Sequence, residues 1–213
     1  MQFLPEEIDQ YAHSHTSNES EVLANLNRET QAKVLQPRML SGHLQGRILA
    51  TFSQMIQPKR ILEIGTYTGY SAICLAEGLT DTGELHTIDI NEELEDMVDR
   101  YAAAAGTEGK IKMHVGDATE IIPSLNETWD LVFIDADKEN YSRYFDLVIG
   151  EMNREGYIIA DNVLWSGKVV EELNPKDTET KGLLAFNEKV QADARVENVL
   201  FPVRDGLMVC RVV

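Results

Sequence analysis

The sequence predicts an α/β protein: a mostly parallel sheet with helices on both faces, behind a helical N-terminal extension. Three observations carry this. Five short, nearly continuous apolar runs follow residue 59: RILEIG, ELHTIDI, KIKMHVG, WDLVFIDAD and GYIIADN. Strands covered on both faces read as such runs. Amphipathic stretches of helical periodicity separate them, and parallel pairing needs crossovers of that kind. Finally, 213 residues with 43% apolar and 26% charged content suit one well-buried domain, not two.

The elements follow in order. Thr16, Ser17 and Asn18 offer N-caps for a helix through about Leu35, and Pro37 breaks the pattern. Ser41 and Gly42 open a second helix, with Leu44, Ile48, Leu49, Phe52 and Met55 at helical spacing, ending before Pro58. Residues 1–58 thus form the extension and 59–213 the core, with no linker between them. Within the core, helices are expected over about 69–79, 92–105, 118–123 and 138–150. Residues 164–181 are polar and turn-rich, a surface loop, before a helix over about 178–193. The last two apolar runs, RVENVLFPV and GLMVCRVV, flank Arg204-Asp205 and predict a hairpin, hence an antiparallel edge.

Composition disfavours several functions. With 19 Lys+Arg against 36 Asp+Glu, a net charge of −17 repels nucleic acid and anionic lipid. No apolar run reaches membrane-spanning length, and MQFLPEEIDQ lacks the basic and apolar regions of a secretory leader. The two cysteines, Cys74 and Cys210, lie in apolar segments and read as buried small hydrophobes. A cytoplasmic location is expected.

In open parallel sheets, ligands bind beyond the carboxyl ends of the strands. After the first run comes Glu63-Ile64-Gly65-Thr66-Tyr67-Thr68-Gly69-Tyr70-Ser71, and after the second Asp89. The G-x-x-x-G spacing is neither the dinucleotide fingerprint nor a lysine-bearing phosphate loop, so a polyphosphate is disfavoured. Gly65 and Gly69 still permit a tight turn against a ligand. Asp89, 24 residues after Gly65, suits ribose hydroxyls. Gly116-Asp117-Ala118 follows the third run and suits adenine, with Asp117 accepting from the exocyclic amine; Asp117 is equally a helix cap. An adenosine without phosphates fits: S-adenosylmethionine, whose carboxylate Ser71 and the N–H groups at a helix start would hold.

Two more strands end in polar residues, Asp135-Ala136-Asp137-Lys138 and Asp161-Asn162. Neighbouring strands lie about 4.8 Å apart, so Asp135, Asp161 and Asn162 would converge on one hard cation, Mg²⁺, Mn²⁺ or Ca²⁺. Lys138 beside such a cation would have its pKa depressed and serve as a general base. Singly, each of these residues reads as a cap or a surface charge; their joint placement points to a site. Methylation by a sulfonium needs an ionised oxygen. A phenol ionises with a pKa of about 10, which costs roughly 4 kcal/mol at pH 7. A divalent cation offsets a cost of that size, and a vicinal aromatic diol chelates it in one orientation.

Taken together, ILEIGTYTGYSAICLA (61–76), TIDIN (87–91), GDA (116–118), FIDADKENY (133–141), ADN (160–162), MLSGHLQGR (39–47) and the closing Arg204-Asp205-Gly206 resemble the cation-dependent class I O-methyltransferases, the catechol and caffeoyl-CoA group. The resemblance implies a Rossmann-like seven-stranded sheet with an antiparallel last strand, an S-adenosylmethionine cofactor and a homodimer. It implies metal ligation by Asp135, Asp161 and Asn162, with Lys138 as base and Asp135 sharing in catalysis and cofactor contact. Glu63, Gly65, Tyr67, Gly69, Ser71, Asp89, Asp117 and Ala118 match the cofactor stretch. Met39 and Ser41 match a segment lining cofactor and substrate, and Asp205 a position near the substrate. Trp165 and Tyr141 are candidate walls of the substrate pocket, and His43 a group at its mouth. Ala136-Asp137 replaces the His-Trp pair of the animal catechol enzyme, as in the plant and bacterial branch. No Lys or Arg precedes Arg28, where the plant branch contacts a CoA ester. A smaller phenolic substrate is therefore expected. The alternatives are a tRNA hydroxyuridine, for which residues 33–60 are the only modestly basic stretch, and a non-catalytic binding protein of the same fold.

Overall fold

A computed structural model describes residues 5–213. Residues 1–4, where the expected N-terminal extension begins, lie outside the described residues. The sheet has seven strands: β1 (Arg60–Ile64), β2 (Glu84–Asp89), β3 (Ile111–Val115), β4 (Trp129–Ile134), β5 (Met152–Ala160), β6 (Val196–Phe201) and β7 (Leu207–Val212). Their order is β3-β2-β1-β4-β5-β7-β6. All neighbours among β1 to β5 are parallel, and β7 runs antiparallel to both β5 and β6. The expected hairpin forms, but its returning strand inserts beside β5, so β6 is the edge.

Alternate residues of each strand feed two cores. One face packs Leu62, Ile64, Val132, Ile134 and Ile158 against α6 (Ala118–Leu125), α7 (Tyr141–Ile149) and α8 (Thr178–Ala192). The other packs Ile61, Leu85, Leu131, Phe133 and Ile159 against α2 (Glu21–Lys33), α3 (Gly42–Ile56), α4 (Tyr70–Ala76) and α5 (Glu95–Ala104). A short α1 (Glu6–Ser14) contributes no buried residue.

Several boundaries differ from the sequence reading. Helix α2 is capped by Ser20, whose side chain accepts from the Leu23 N–H, and not by Thr16, Ser17 or Asn18. Ser41 sits in helical conformation without a capping bond, because it serves the cleft instead. Strand β5 starts at Met152, earlier than its apolar run, with Glu155 at φ 65 and a register irregularity opposite Trp129 and Leu131. Its polar first half carries no apolar signal. The expected loop 164–181 contains a 3₁₀ segment, Trp165–Val170. Both cysteines are free and buried. Among the described residues no helix is long and apolar enough to cross a membrane.

Candidate active site

Strand register builds the site. Ile88, Ile64, Ile134 and Ala160 stand side by side across β2, β1, β4 and β5. The next residues, Asp89, Gly65, Asp135 and Asp161, therefore form one row along the carboxyl edge. Backbone bonds extend the ladder through this row: Gly65 N–H to Ile88 O, Asp135 N–H to Ile64 O and Asp161 N–H to Ile134 O, each 2.9 Å. Gly65 is required there. Its φ is +104, and a Cβ would come within 2.0 Å of the Asp135 carbonyl oxygen.

Above this row lies a cleft of about 1460 Å³. That exceeds the usual pocket for one small ligand, roughly 300–1,000 Å³, and accommodates two molecules. Its lining includes Met39, Ser41, Gly65, Tyr67, Ser71, Asp89, Asp117 and Ala118 toward the β1–β3 side. Asp135, Lys138, Asp161, Asn162, Trp165 and Asp205 line the β4–β7 side. Glu63 and Gly69 do not reach the cleft surface: Glu63 is 0% exposed beneath the loop, and Gly69 turns the chain into α4 against Val98. Tyr141 is fully buried and lines nothing, so it is not a wall. Its hydroxyl accepts from Lys138 Nζ at 2.7 Å and donates to the Asp161 carbonyl at 3.0 Å, fixing both. Trp165 is the wall, its ring centroid 5.7 Å from Lys138 Nζ. His43 sits at the rim with Nδ1 3.3 Å from His13 Nδ1.

On the β1–β2 side, Asp89 accepts from the Tyr67 N–H (2.7 Å) and the Asn91 N–H (2.9 Å), which fixes its carboxylate at the cleft. The Tyr67 hydroxyl holds the Leu35 and Gln36 carbonyls, tying the 3₁₀ segment Pro37–Met39 over the loop. Asp117 is the helix cap as well as a lining residue: one oxygen accepts from the Thr119 N–H and hydroxyl, both at 2.8 Å, which lowers its pKa. Under the loop, Glu63 accepts from Thr87 at 2.5 Å while its other oxygen has no partner. Burial, reinforced by the charges of Asp135 and Asp89, pushes Glu63 up to about 8. A row of cleft carboxylates fits a ligand that carries hydroxyls and an ammonium.

On the β4–β5 side, Lys138 is 6% exposed and donates to Asp135 Oδ1 at 3.0 Å. Asp161 is 3% exposed; Asn162, at φ 59, turns the chain just after it. Burial first, then the negative charge of Asp135, pushes Asp161 up to about 7. Asp161 Oδ1 accepts from the Asn162 N–H (2.7 Å) and Oδ2 from Gln45 Nε2 (2.5 Å). Among the described residues no cluster of three or more His, Cys, Asp or Glu forms. The Asp135 and Asp161 carboxylates and the Asn162 amide line one side of the cleft. A hard divalent cation fits that set, and a soft metal does not.

Two contributors escaped the sequence reading. Gln45 comes from α3 and reaches Asp161 across 116 positions of sequence, a separation that periodicity cannot bridge. Tyr144, one turn into α7, donates to Asp137 at 2.5 Å and holds that carboxylate on the cleft. Its spacing of seven from Asp137 was the available signal.

The chain is similar to proteins of known family. Residues 13–213 match the family described as O-methyltransferase. The chain is 33% identical to caffeoyl-CoA O-methyltransferase 5 of Nicotiana tabacum, over 86% of this chain and 81% of that one. It is 34% identical to caffeoyl-CoA O-methyltransferase 1 of Eucalyptus globulus, over 86% and 79%. Among solved structures, the O-methyltransferase from Bacillus cereus in complex with SAH superposes with a TM-score of 0.90 at 28% identity, covering 97% of both chains. TomG from Streptomyces achromogenes, an O-methyltransferase of tomaymycin synthesis solved with SAM, gives 0.88 at 28%, covering 97% and 96%.

Proposed function

We propose that this chain, which belongs to the O-methyltransferase family, transfers the methyl group of S-adenosylmethionine to one hydroxyl of a small catechol-type aromatic, with a divalent cation in the site. The observation that carries the reading is the joint position of Asp135, Lys138, Asp161 and Asn162 at the carboxyl ends of β4 and β5, on one cleft wall.

In this reading Asp89 takes the ribose hydroxyls, Asp117 and Ala118 the adenine, and Ser71 the amino-acid carboxylate. Gly65 and Tyr67 supply the close backbone under the cofactor, and Met39 covers it. Glu63 supports the loop from below, its carboxyl accepting from Thr87. Asp135, Asp161 and Asn162 would hold Mg²⁺ or a similar hard ion, which would lower the pKa of a diol hydroxyl bound to it. Lys138 Nζ, in its neutral amine form, would take the hydroxyl proton and become the ammonium that pairs with Asp135, leaving an anionic oxygen to receive the methyl group. Ser41 and Trp165 bound the aromatic ring, and Tyr141 keeps Lys138 directed at the same spot.

A tRNA substrate is less well supported. The basic stretch at 33–60 is largely spent in ion pairs: Lys33 with Glu29 (3.1 Å), Arg47 with Glu77 (2.5 Å) and Arg60 with Glu127 (3.3 Å). Those charges are not left for phosphates.

The test is methyl transfer from labelled S-adenosylmethionine to caffeic acid, with Mg²⁺ and then with EDTA. Turnover abolished by EDTA supports diol and metal together. Absence of turnover in both conditions, with cofactor binding intact by calorimetry, overturns the diol reading and moves tRNA forward.

A further inference from the structure

We infer that Arg204 selects the substrate, and that the preferred diol carries a carboxylate on the side of the ring away from its hydroxyls. The inference rests on the diol reading above and deepens it.

Arg204 lies in the connection between β6 and β7, at φ +52. A side chain there is strained relative to glycine, so the position persists because its surroundings fix it. The Gly206 N–H closes the turn on Val203 O at 2.9 Å. Leu164 N–H bonds to Asp205 O (2.9 Å) and Val163 N–H to Gly206 O (3.2 Å), stitching the turn to the end of β5. Asp205 Oδ1 accepts from the Ser166 N–H at 2.5 Å. The turn is therefore clamped to the Trp165 segment, and the guanidinium is carried across the cleft. Its Nη1 stands 3.9 Å from where a Cβ on Gly42 would lie, at the start of α3.

The charge of Arg204 acts on the adjacent Asp205 carboxylate but forms no ion pair with a described residue. The cleft is lined by four basic side chains, Arg38, Lys138, Lys168 and Arg204. Lys138 is paired with Asp135 and Lys168 with Asp177 at 2.9 Å. Arg38 belongs to the segment that Tyr67 ties over the β1 loop, on the cofactor side. Arg204 makes no hydrogen bond or ion pair with a described residue, in a chain with 36 acidic residues against 19 basic ones. The acids nearby are otherwise engaged: Asp205 with Ser166, Asp177 with Lys168, and Asp9 with His13 at 3.8 Å. Glu179 also lines the cleft, and its charge acts on Lys168.

Lys138 Nζ and Lys168 Nζ lie 5.7 and 5.8 Å from the Trp165 ring centroid. A ring set against Trp165, with its hydroxyls at Lys138, lies on the cleft wall that the Ser166–Asp205 bond joins to the Arg204 turn. A guanidinium fork matches a carboxylate in bidentate geometry, which an ester or an amine cannot reproduce.

The experiment compares caffeic acid with its methyl ester, with Mg²⁺ and S-adenosylmethionine, in the parent and three variants. The parent should prefer the acid. Arg204→Gly, which relaxes the positive φ and so should fold, should lower the acid-to-ester ratio of kcat/KM by about tenfold or more, through the KM of the acid. Arg204→Lys should retain part of the preference. Arg204→Glu should shift preference toward dopamine, whose side chain is cationic. An unchanged ratio in Arg204→Gly, or a parent indifferent to the acid, overturns the inference and leaves the diol reading standing. Methylation of none of the three probes overturns both.

Discussion

The chemistry is concentrated in a few residues whose neighbours dictate what each can do. Lys138 is the clearest case, because its ammonium is buried between Asp135 and the Tyr141 hydroxyl. Replacing it by alanine removes the proposed proton acceptor and, among the residues assigned to the cofactor, loses contact only with Asp135. Lys138→Ala should lower kcat by roughly 10²–10⁴, with cofactor affinity by calorimetry near that of the parent; unaltered kcat would remove the lysine from the mechanism. Glu63 supplies a different prediction. Its pKa is about 8 in the fold against 4.5 in the unfolded chain, with burial the leading cause. A carboxyl raised in the native state binds its proton more tightly there. Its contribution to stability is therefore full below about pH 4.5 and is lost as pH rises through about 8. Glu63→Gln keeps the shape and cannot ionise. The ligand-free variant should melt above the parent at pH 8.5 and lose that advantage at pH 5. Equal differences at the two pH values would show that Glu63 does not titrate in this window.

At the level of elements, α3 and β5 are coupled by one buried bond, Gln45 Nε2 to Asp161 Oδ2. Gln45 is 2% exposed, so it fixes the rotamer of a proposed metal ligand and not a surface contact. Outer partners of this kind typically contribute 10–100-fold to metal affinity. Gln45→Leu should weaken Mn²⁺ binding to the cofactor-free protein by about that factor, read by calorimetry. An unchanged affinity with unchanged melting would assign Gln45 to packing alone. The same bond explains what the sequence made legible and what it did not. Apolar runs ending in Asp89, Asp135 and Asp161 were readable, because strands terminate where their burial ends. Their alignment into one row is a register property that follows once adjacency is known. Gln45 was unreadable, since nothing in helical periodicity separates a polar residue aimed at a distant carboxylate from one in solvent. Tyr141 was misassigned as a wall because its apolar ring and its hydroxyl serve the core, a distinction made only by packing. The position of β6 at the edge was likewise undetermined, as a hairpin can add either of its strands to β5.

The whole molecule adds a field to these local contacts. The chain carries a net charge of −17, and acidic side chains lining the cleft outnumber basic ones two to one. S-adenosylmethionine carries one net positive charge, and methyl transfer turns its sulfonium into a neutral thioether. The field that draws the cofactor in therefore has no net charge to act on in the product, S-adenosylhomocysteine. Both ligands offer the same hydroxyls, adenine, ammonium and carboxylate to the same residues, so the long-range term is what differs. Salt acts on that term. The screening length falls from about 10 Å at 0.1 M to about 3 Å at 1 M. The Kd of S-adenosylmethionine should rise several-fold across that range while that of S-adenosylhomocysteine changes little. Product inhibition should deepen correspondingly, since the product keeps its affinity as the cofactor loses its own. Calorimetric titration of the two ligands at both ionic strengths measures the difference directly. Parallel shifts would mean that the sulfonium is recognised through local contacts, with the chain's net charge screened from the cleft by its own ion pairs.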